Sequence, residues 1–254
     1  MLAAARHQAI VDAVQRERVV RISDLAAQLG VSLMTVRRDI EQLEEGGKLE
    51  RIHGGAKLPG DAGAHEPGFE LKSTQLTAEK RAIAVAAAAL VQEGMAVGPG
   101  AGTTTWALAR ELVGGPRITV VTNSMRIADL FHPGGSTVIL IGGERTPSDA
   151  LVGPIATGAL KQLHLDLLFL GVHGMDAAAG FTTPNLLEAE TDRAFVAAAR
   201  RTVVVADHTK WGMLGMSSIA ALDEVDEVIS DSGLGTDAQR ILQEKVGRLQ
   251  LATP

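Results

Sequence analysis

Residues 30–57, GVSLMTVRRDIEQLEEGGKLERIHGGAK, decide the fold of the N-terminal part of this chain. Val36, Ile40 and Leu43 recur at helical spacing and predict a helix that buries one face, and Ser32 has the residue type and position of its N-cap. A pair of glycines then ends the helix. A short β-hairpin is expected next, because apolar and charged residues alternate up to a glycine-rich tip that accepts positive φ.

Upstream of this segment the pattern predicts two further helices joined by a short strand. The residues that share the apolar faces of these helices are Ile10, Val11, Val14, Leu25, Ala26 and Leu29. The segment 16–20 between them predicts a small strand or an extended link, and Ser23 is the expected N-cap of the second helix. Gly30 can take the left-handed conformation that stops a helix. Two helices joined this tightly cross at a steep angle, as in a helix-turn-helix.

A helix-turn-helix followed by a hairpin predicts a winged helix-turn-helix, whose third helix lies in the major groove of double-stranded DNA. Arginine offers two parallel donors to guanine O6 and N7, and Ser or Thr near a helix start binds phosphate or a base edge. The residues predicted to contact DNA are Ser32, Thr35, Arg37, Arg38, Arg51, His53 and Gly54. The alternative, a solvated arginine face and a loop histidine without DNA contact, stays open at this point.

The charge of the two parts of the chain differs. Residues 1–60 contain nine Lys and Arg against eight Asp and Glu, so the DNA-binding part is nearly neutral. One copy is therefore expected to bind DNA weakly, and binding should depend on salt and on pairing into a homodimer or a higher homo-oligomer. Residues 61–254 contain fifteen Lys and Arg against twenty-two Asp and Glu, which argues against wide contact with nucleic acid there.

The composition of the chain limits the classes of protein to which it can belong. The chain has 254 residues, 46% of them hydrophobic, and a net charge of −6, which is typical of a globular protein of two domains. It has no cysteine, which excludes disulfides and thiol chemistry and suits a reducing cytoplasm. The longest apolar run, residues 82–91, is too short to span a bilayer, and no signal-like segment is present. We expect a cytoplasmic protein without a membrane partner, a metal or a cofactor.

Residues 59–77 break the periodicity with prolines and glycines and predict a linker between a DNA-binding domain, 1–58, and a second domain, 78–254. In the second domain the predicted strands are 95–98, 118–122, 137–141, 165–172, 202–207 and 226–230, and the predicted helices are 78–93, 106–112, 124–131 and 188–200, with one more helix after the last strand. This alternation predicts an α/β domain with a mostly parallel sheet covered on both faces. Ligands in such sheets bind at the carboxyl ends of the strands.

Polar turns follow four of the predicted strands. The glycine-threonine loop, residues 100–105 (GAGTTT), joins a strand to a helix start, where free N–H groups and threonine hydroxyls favour a phosphate. It lacks the glycine spacing of the dinucleotide fingerprint and the lysine of a P-loop. The other turns contain Asn123, Asp176 and Lys210, which can bind sugar hydroxyls or an anion. Each turn alone could be a cap or a loop, but four together predict a ligand site.

In combination these stretches resemble the DeoR family of bacterial transcription regulators over nearly the whole chain. The stretches that carry the resemblance are VSLMTVRRDIEQLEEGGKLERIHGGA, GTTTWALA, VVTNS, LIGG, GMDAAAGFTTPNLLEAE and VVVADHTKWG. The resemblance implies a sensor domain similar to ribose-5-phosphate isomerase, repression of a carbohydrate-metabolism operon, and release by a phosphorylated sugar-type effector. The residues then expected to bind the effector are Gly102, Thr103, Thr104, Asn123, Asp176, Glu188 and Lys210.

The chain departs from the family pattern at two places. Pro99, Gly100 and Ala101 stand where the family commonly has an aspartate and a serine, and Asp192 stands near a position where it tends to have a lysine. An acidic group there would repel a phosphate. Two other function classes remain as alternatives: a working sugar-phosphate isomerase, and an architectural DNA-binding protein with an inert second domain.

Overall fold

The computed structural model describes residues 3–17, 19–52, 55–57, 69–132 and 135–254. The chain forms two compact units, Met1–His65 and Glu66–Pro254. Each unit has its own hydrophobic core, and the two are described separately below.

The first unit is three helices and a small antiparallel sheet. Its elements are α1 (Ala3–Glu17), β1 (Val19–Arg21), α2 (Ile22–Leu29), α3 (Leu33–Glu45), β2 (Glu50–Ile52) and β3 (Gly55–Lys57). The strands lie in the order β1-β3-β2, so β2 and β3 form a hairpin and β1 closes its open side. This is the predicted winged helix-turn-helix.

The tight turn between α2 and α3 forms as predicted. Gly30 has φ +65°, and Ser32 caps α3 by accepting a hydrogen bond from Thr35 N at 3.2 Å. Val36, Ile40 and Leu43 are buried in the core of this unit. The prediction for Ser23 is wrong: α2 already begins at Ile22, directly after β1, so Ser23 lies inside the first turn and is not the cap.

A buried carboxylate, which the sequence pattern did not reveal, holds α3 against α1. Asp39 is 3% exposed, and Arg6 donates to it through Nε at 2.5 Å and through Nη2 at 2.8 Å. His7 Nε2 lies 3.1 Å from the same carboxylate. The hydrogen bonds from Arg6, together with His7, hold the pKa of Asp39 below its usual value although burial opposes this. The orientation of α3 therefore depends on an ionic contact between two helices.

Asp39 should make the first unit sensitive to acid. Because the folded pKa is lowered, the stabilisation is fully present above the unfolded value, about 3.9, and is lost as the pH falls through the folded pKa. At neutral pH we expect Asp39→Ala to lower the free energy of unfolding by about 1–3 kcal/mol, since it removes the carboxylate to which Arg6 donates two hydrogen bonds. Hydrogen exchange of peptides from α1 and α3 in the full chain measures this loss of stability. Asp12→Asn, an exposed carboxylate on α1, is the control. If Asp39→Asn showed the same loss of stability in acid as the unaltered chain, Asp39 would not be the group that makes this unit sensitive to acid.

The second unit is an α/β domain. Its helices are α4 (Phe69–Ser73), α5 (Thr77–Ala88), α6 (Thr103–Leu112), α7 (Met125–Leu130), α8 (Pro154–Leu160), α9 (Leu186–Ala198) and α10 (Thr236–Lys245). Its strands are β4 (Ala96–Pro99), β5 (Thr119–Thr122), β6 (Thr137–Leu140), β7 (Glu144–Arg145), β8 (Leu151–Val152), β9 (Leu167–Leu170), β10 (Gly174–Asp176), β11 (Gly180–Thr183), β12 (Thr202–Val205), β13 (Ser217–Ala220), β14 (Glu227–Asp231) and β15 (Leu249–Ala252). Two 3₁₀ turns, His208–Lys210 and Leu222–Glu224, follow β12 and β13.

Seven parallel strands form the central sheet, in the order β15-β14-β12-β9-β4-β5-β6. Side chains alternate between its two faces, as strand geometry requires. On β9, Leu168 and Leu170 enter the core that includes Phe195 of α9, whereas Leu167 and Phe169 enter the core beneath α5, α6 and α7. The predicted α/β fold with a mostly parallel sheet covered on both faces is confirmed.

Several elements were not predicted. Helix α4 occupies Phe69–Ser73, within the stretch interpreted as a linker, and β15 adds an edge strand after α10. Strands β10, β11 and β13 form a separate antiparallel sheet. These elements have three to five residues each, too few for a hydrophobic period to develop. Among the helices described, none has the length and apolar character needed to cross a bilayer.

Candidate functional site

Helix α3 presents its charged side chains to solvent. Arg37 and Arg38 are exposed, and Thr35 is half-buried, with its hydroxyl 2.9 Å from the Ser32 hydroxyl. Leu33 and Met34, in the first turn of the helix, are 50% and 70% exposed. Large apolar side chains in this position can contact the methyl group of thymine, as arginine can contact guanine. The exposed surface of the helix thus carries both polar and apolar side chains.

The wing is described only in part. Arg51 lies in β2, but its side chain is outside the described residues, and so are His53 and Gly54 at the tip of the hairpin. Ile52 pairs with Gly55, so two residues join the strands, as in the tightest hairpins. The DNA contacts of Arg51, His53 and Gly54 stay predictions.

A cavity in the second unit lies at the carboxyl ends of four neighbouring strands. It is lined by Ala101–Thr104 after β4, by Asn123 after β5, by Gly171–His173 after β9 and by Val205–Asp207 with Thr209 and Lys210 at β12. Residues of α4, α5 and the turn between them, of α9, of the loop between β7 and β8, and Thr183 of β11 complete it. Of the seven residues predicted to bind the effector, the structure brings six together here: Gly102, Thr103, Thr104, Asn123, Glu188 and Lys210.

The glycine-threonine loop ends in the N-terminus of α6, which points into this cavity. Gly102 has φ +155°, and its carbonyl accepts a hydrogen bond from the Thr105 hydroxyl at 3.0 Å. In the described part of the chain, no side chain caps the first N–H groups of α6. A helix of this length carries about half a positive charge at its N-terminus, so Thr103 and Thr104 begin a favourable place for an anion.

Asn123 holds the loop in place. Its Oδ1 accepts from Ala101 N at 2.9 Å, and its Nδ2 donates to the Leu151 carbonyl at 3.2 Å. The side chain is 1% exposed. Asn123 therefore joins the glycine-threonine loop to β8, and both ends of its amide are already engaged. This geometry gives it a positioning role that the sequence pattern, which predicted a sugar contact, did not reveal.

An acidic wall lies on α9. Glu188 is 9% exposed, and its two oxygens accept hydrogen bonds from the hydroxyls of Ser148 and of Thr183, the latter at 3.2 Å. Asp192, one helical turn further along, lines the same cavity. Two carboxylates on one helical face favour a ligand that donates hydrogen bonds, such as a sugar hydroxyl. The departure at Asp192 thus falls inside the cavity.

The cationic groups of the cavity are lysines, and two of them lie on segments that were not predicted to line it. Lys72 and Lys80 come from α4 and α5, and Lys210 follows β12. Lys80 is only 6% exposed, and its Nζ donates to the carbonyls of Lys72 at 2.7 Å and of Gln75 at 2.5 Å. Burial lowers the pKa of Lys80, while nearby Asp207 opposes this. An anion in the cavity would relieve the cost of burying this charge.

Asp176 does not line the cavity. β9 ends at Leu170, and the chain then turns into the separate antiparallel sheet, where Asp176 closes the hairpin between β10 and β11. Its Oδ1 accepts from Ala178 N and Ala179 N, each at 2.8 Å, and these hydrogen bonds, that of Ala179 first, lower its pKa. The structure thus does not bring Asp176 together with the other six residues, and its contact with the effector stays a prediction. The segment 171–173, directly after β9, occupies that place instead.

In the ranges that the structure describes, there is no group of three or more His, Asp or Glu residues that could hold a metal ion.

Residues 6–61 match the model of a DeoR-like helix-turn-helix domain, and residues 75–232 match the model of the DeoR C-terminal sensor domain. The second match covers more than half of the chain.

Proteins of known sequence agree with these matches. The chain is 38% identical to the HTH-type transcriptional regulator GlpR of Haloferax volcanii over 96% of this chain and 95% of that protein. It is 30% identical to the glycerol-3-phosphate regulon repressor of Escherichia coli K12, over 97% and 98%. Ribose 5-phosphate isomerase A from Neisseria gonorrhoeae is structurally similar over 52% of each chain, with 19% identity and a TM-score of 0.40. The chain belongs to the DeoR family of helix-turn-helix transcription regulators, which are not enzymes.

Proposed function

We propose that this regulator represses a carbohydrate-metabolism operon by binding double-stranded operator DNA through α3. The observation that carries the DNA contact is the exposed face of α3, where Arg37 and Arg38 follow a capped, freely accessible first turn. Arg38 donates to guanine, and Met34 contacts a thymine methyl one helical turn away. Repression agrees with the similarity to the Escherichia coli glycerol-3-phosphate regulon repressor.

The effector in this proposal is a phosphorylated sugar or a related metabolite. Its phosphate sits at the N-terminus of α6, against Gly102, Thr103 and Thr104, because the N–H groups and the helix dipole favour an anion there. Lys80 and Lys210 supply positive charge to the same cavity. The hydroxyl groups of the ligand donate to the carboxylates of Glu188 and Asp192, which line the same cavity from α9. A ligand with one anionic end and several hydroxyls satisfies both sets of groups.

In the same proposal the protein binds DNA as a homodimer or a higher homo-oligomer. Residues 1–60 are nearly neutral, so one winged helix gains little from the phosphate backbone. Pairing two α3 helices one turn of DNA apart adds the contacts that a single copy lacks. Effector binding then acts by changing how well the paired units fit their two half-sites.

Thermal unfolding of the full chain tests the ligand class. We expect glycerol 3-phosphate or a hexose phosphate to raise the Tm, with a stabilisation of about 2.7 kcal/mol at a ligand concentration of 100 times Kd. The matching unphosphorylated polyol or sugar should have no effect. Lys210→Ala should remove the shift, whereas Lys161→Ala, an exposed lysine after α8, should keep it. Equal stabilisation by phosphorylated and unphosphorylated sugars would contradict a phosphate site.

A further inference from the structure

Arg126 contacts two parts of the second unit that are far apart in sequence. Its Nε donates to Asp149 Oδ2 at 2.6 Å, and its guanidinium carbon lies 4.3 Å from the centre of the Phe69 ring. The Asp149 side chain is 14% exposed and the Arg126 side chain 35% exposed, so the carboxylate is mostly covered and the guanidinium partly so. Arg126 therefore joins the loop of residues 146–150 to helix α4.

Both ends of this connection belong to walls of the effector cavity. Asp149 follows Ser148, whose hydroxyl donates to Glu188, and Ser148 and Ala150 line the cavity. Phe69 is 6% exposed and lines the cavity from α4. A ligand that contacts the Ser148 hydroxyl therefore lies one residue away from Asp149, which Arg126 joins to the Phe69 ring.

Helix α4 is the first element of the second unit, and residues 58–68 connect it to the wing in sequence. Phe69 also packs edge-on against Trp106 of α6, with ring centres 5.7 Å apart. A change in the position of α4 thus acts on the first described element that follows residues 58–68 in the chain. No other cavity-lining wall has this position in the chain order, since α4 precedes all of them.

We propose that Arg126 is a positioning residue of the effector cavity: it couples loop 146–150 to α4, so that occupancy beside Ser148 and Glu188 changes the seating of α4. The coupling rests on the function proposed above, because it gives the effector a route to the DNA-binding unit. The contact is of two kinds at once, an ion pair to Asp149 and a cation–π contact to Phe69. A guanidinium suits both at once better than an ammonium, because it is planar and offers several donors in a fixed fork.

Hydrogen exchange of the ligand-free full chain tests the coupling first. Asp149 has φ +66°, a left-handed conformation that asparagine also adopts, so Asp149→Asn removes the charge and keeps the backbone. We expect Arg126→Ala and Asp149→Asn each to speed exchange in peptides covering α4 by about tenfold, the effect of losing one such contact. The double variant should be no faster than Arg126→Ala alone, since both changes break one connection.

Two further variants separate coupling from a general loss of structure. Arg145 also donates to Asp149, at 2.8 Å from Nε, but no contact joins it to Phe69 among the residues described. Arg145→Ala should leave exchange in α4 unchanged. Arg126→Lys keeps the charge but not the planar stacking, and should restore only part of the protection. Unchanged α4 exchange in Asp149→Asn, additive effects in the double variant, or an equal effect of Arg145→Ala would each overturn the proposal.

A second arm uses glycerol 3-phosphate and hexose phosphates as probes. In a Trp211→Phe background, Trp106 is the remaining tryptophan and reports on the Phe69 ring beside it. Saturating ligand should change Trp106 fluorescence in the Trp211→Phe protein, and adding Asp149→Asn to it should remove most of that change when the ligand is again saturating. Ligand binding with the same fluorescence change in Asp149→Asn would overturn the coupling. If neither glycerol 3-phosphate nor a hexose phosphate binds, the proposed effector class is refuted. The hydrogen-exchange experiment on α4 then still tests the role of Arg126.

Discussion

Arg38→Ala should abolish the preference of this regulator for its operator. Arg38 is exposed on α3, one turn from Met34, in the position from which a guanidinium can donate twice to guanine. Loss of one bidentate pair costs about 1–3 kcal/mol, which is about 5- to 150-fold in Kd, and the proposed dimer would lose it twice. Binding to unrelated DNA should change far less, so the ratio between operator and unrelated DNA is the quantity to measure, at a fixed salt concentration.

Arg240→Ala is the matched control for this change. Arg240 is an exposed arginine of α10 in the sensor unit, paired with Glu244 on the same helix. Its replacement removes the same charge and should leave operator affinity unchanged. Thermal unfolding should show the same Tm for Arg38→Ala as for the unaltered chain, because exposed side chains contribute little to stability. Operator preference retained in Arg38→Ala would contradict the assignment of α3 as the reading helix.

Gly102→Ala should make the regulator unresponsive to its effector. Gly102 has φ +155°, which L side chains rarely adopt, and an added Cβ would lie 3.1 Å from the Thr105 hydroxyl. The substitution therefore shifts the start of α6, where the proposed phosphate binds. Each charge-assisted hydrogen bond lost there costs about 1.5–3 kcal/mol, so effector affinity should fall by at least about tenfold. Operator affinity without effector should stay the same, giving permanent repression.

Gly100 provides a control within the same loop. It lies two residues earlier, its φ is not in the left-handed region, and an added Cβ would meet only the Phe169 carbonyl at an ordinary 3.6 Å. Gly100→Ala should therefore keep the effector response. Isothermal titration with the effector, compared between the two alanine variants, measures the difference. An equal response of both variants would show that the anion binds elsewhere.

The parts of the fold and of the candidate site that could be predicted are those that short-range sequence patterns determine. The register of α3 follows from the spacing of Val36, Ile40 and Leu43, and its start follows from Gly30 and Ser32, because caps and helical periodicity act within a few residues. The parallel sheet follows from unbroken apolar strands such as 167–170. In the cavity, the loop after β4 and the residues after β12 could be located because each directly follows a strand.

Long-range contacts explain what could not be predicted. Asp39 binds Arg6, which lies thirty-three residues earlier in the chain, and Ser148 donates to Glu188, which lies forty residues later. Neither contact could be predicted from a local sequence pattern. Asp176 was misplaced because the end of β9 could not be told from the start of β10 within one apolar stretch. Lys80 did leave a signal. It shares the buried stripe of α5 with Ile83, Ala84 and Ala87, and a charge on such a stripe points to a special environment.

Operator affinity measured with and without effector tests the central claim most directly. The full chain is bound to DNA footprinted at the promoter next to its own gene, and Kd is measured in the presence of glycerol 3-phosphate, pentose phosphates and hexose phosphates. We predict that at least one of these weakens operator binding by about fivefold or more, the usual range of coupling between two sites, and that Gly102→Ala abolishes the effect. Unchanged operator affinity with every phosphorylated metabolite would contradict an effector-controlled regulator.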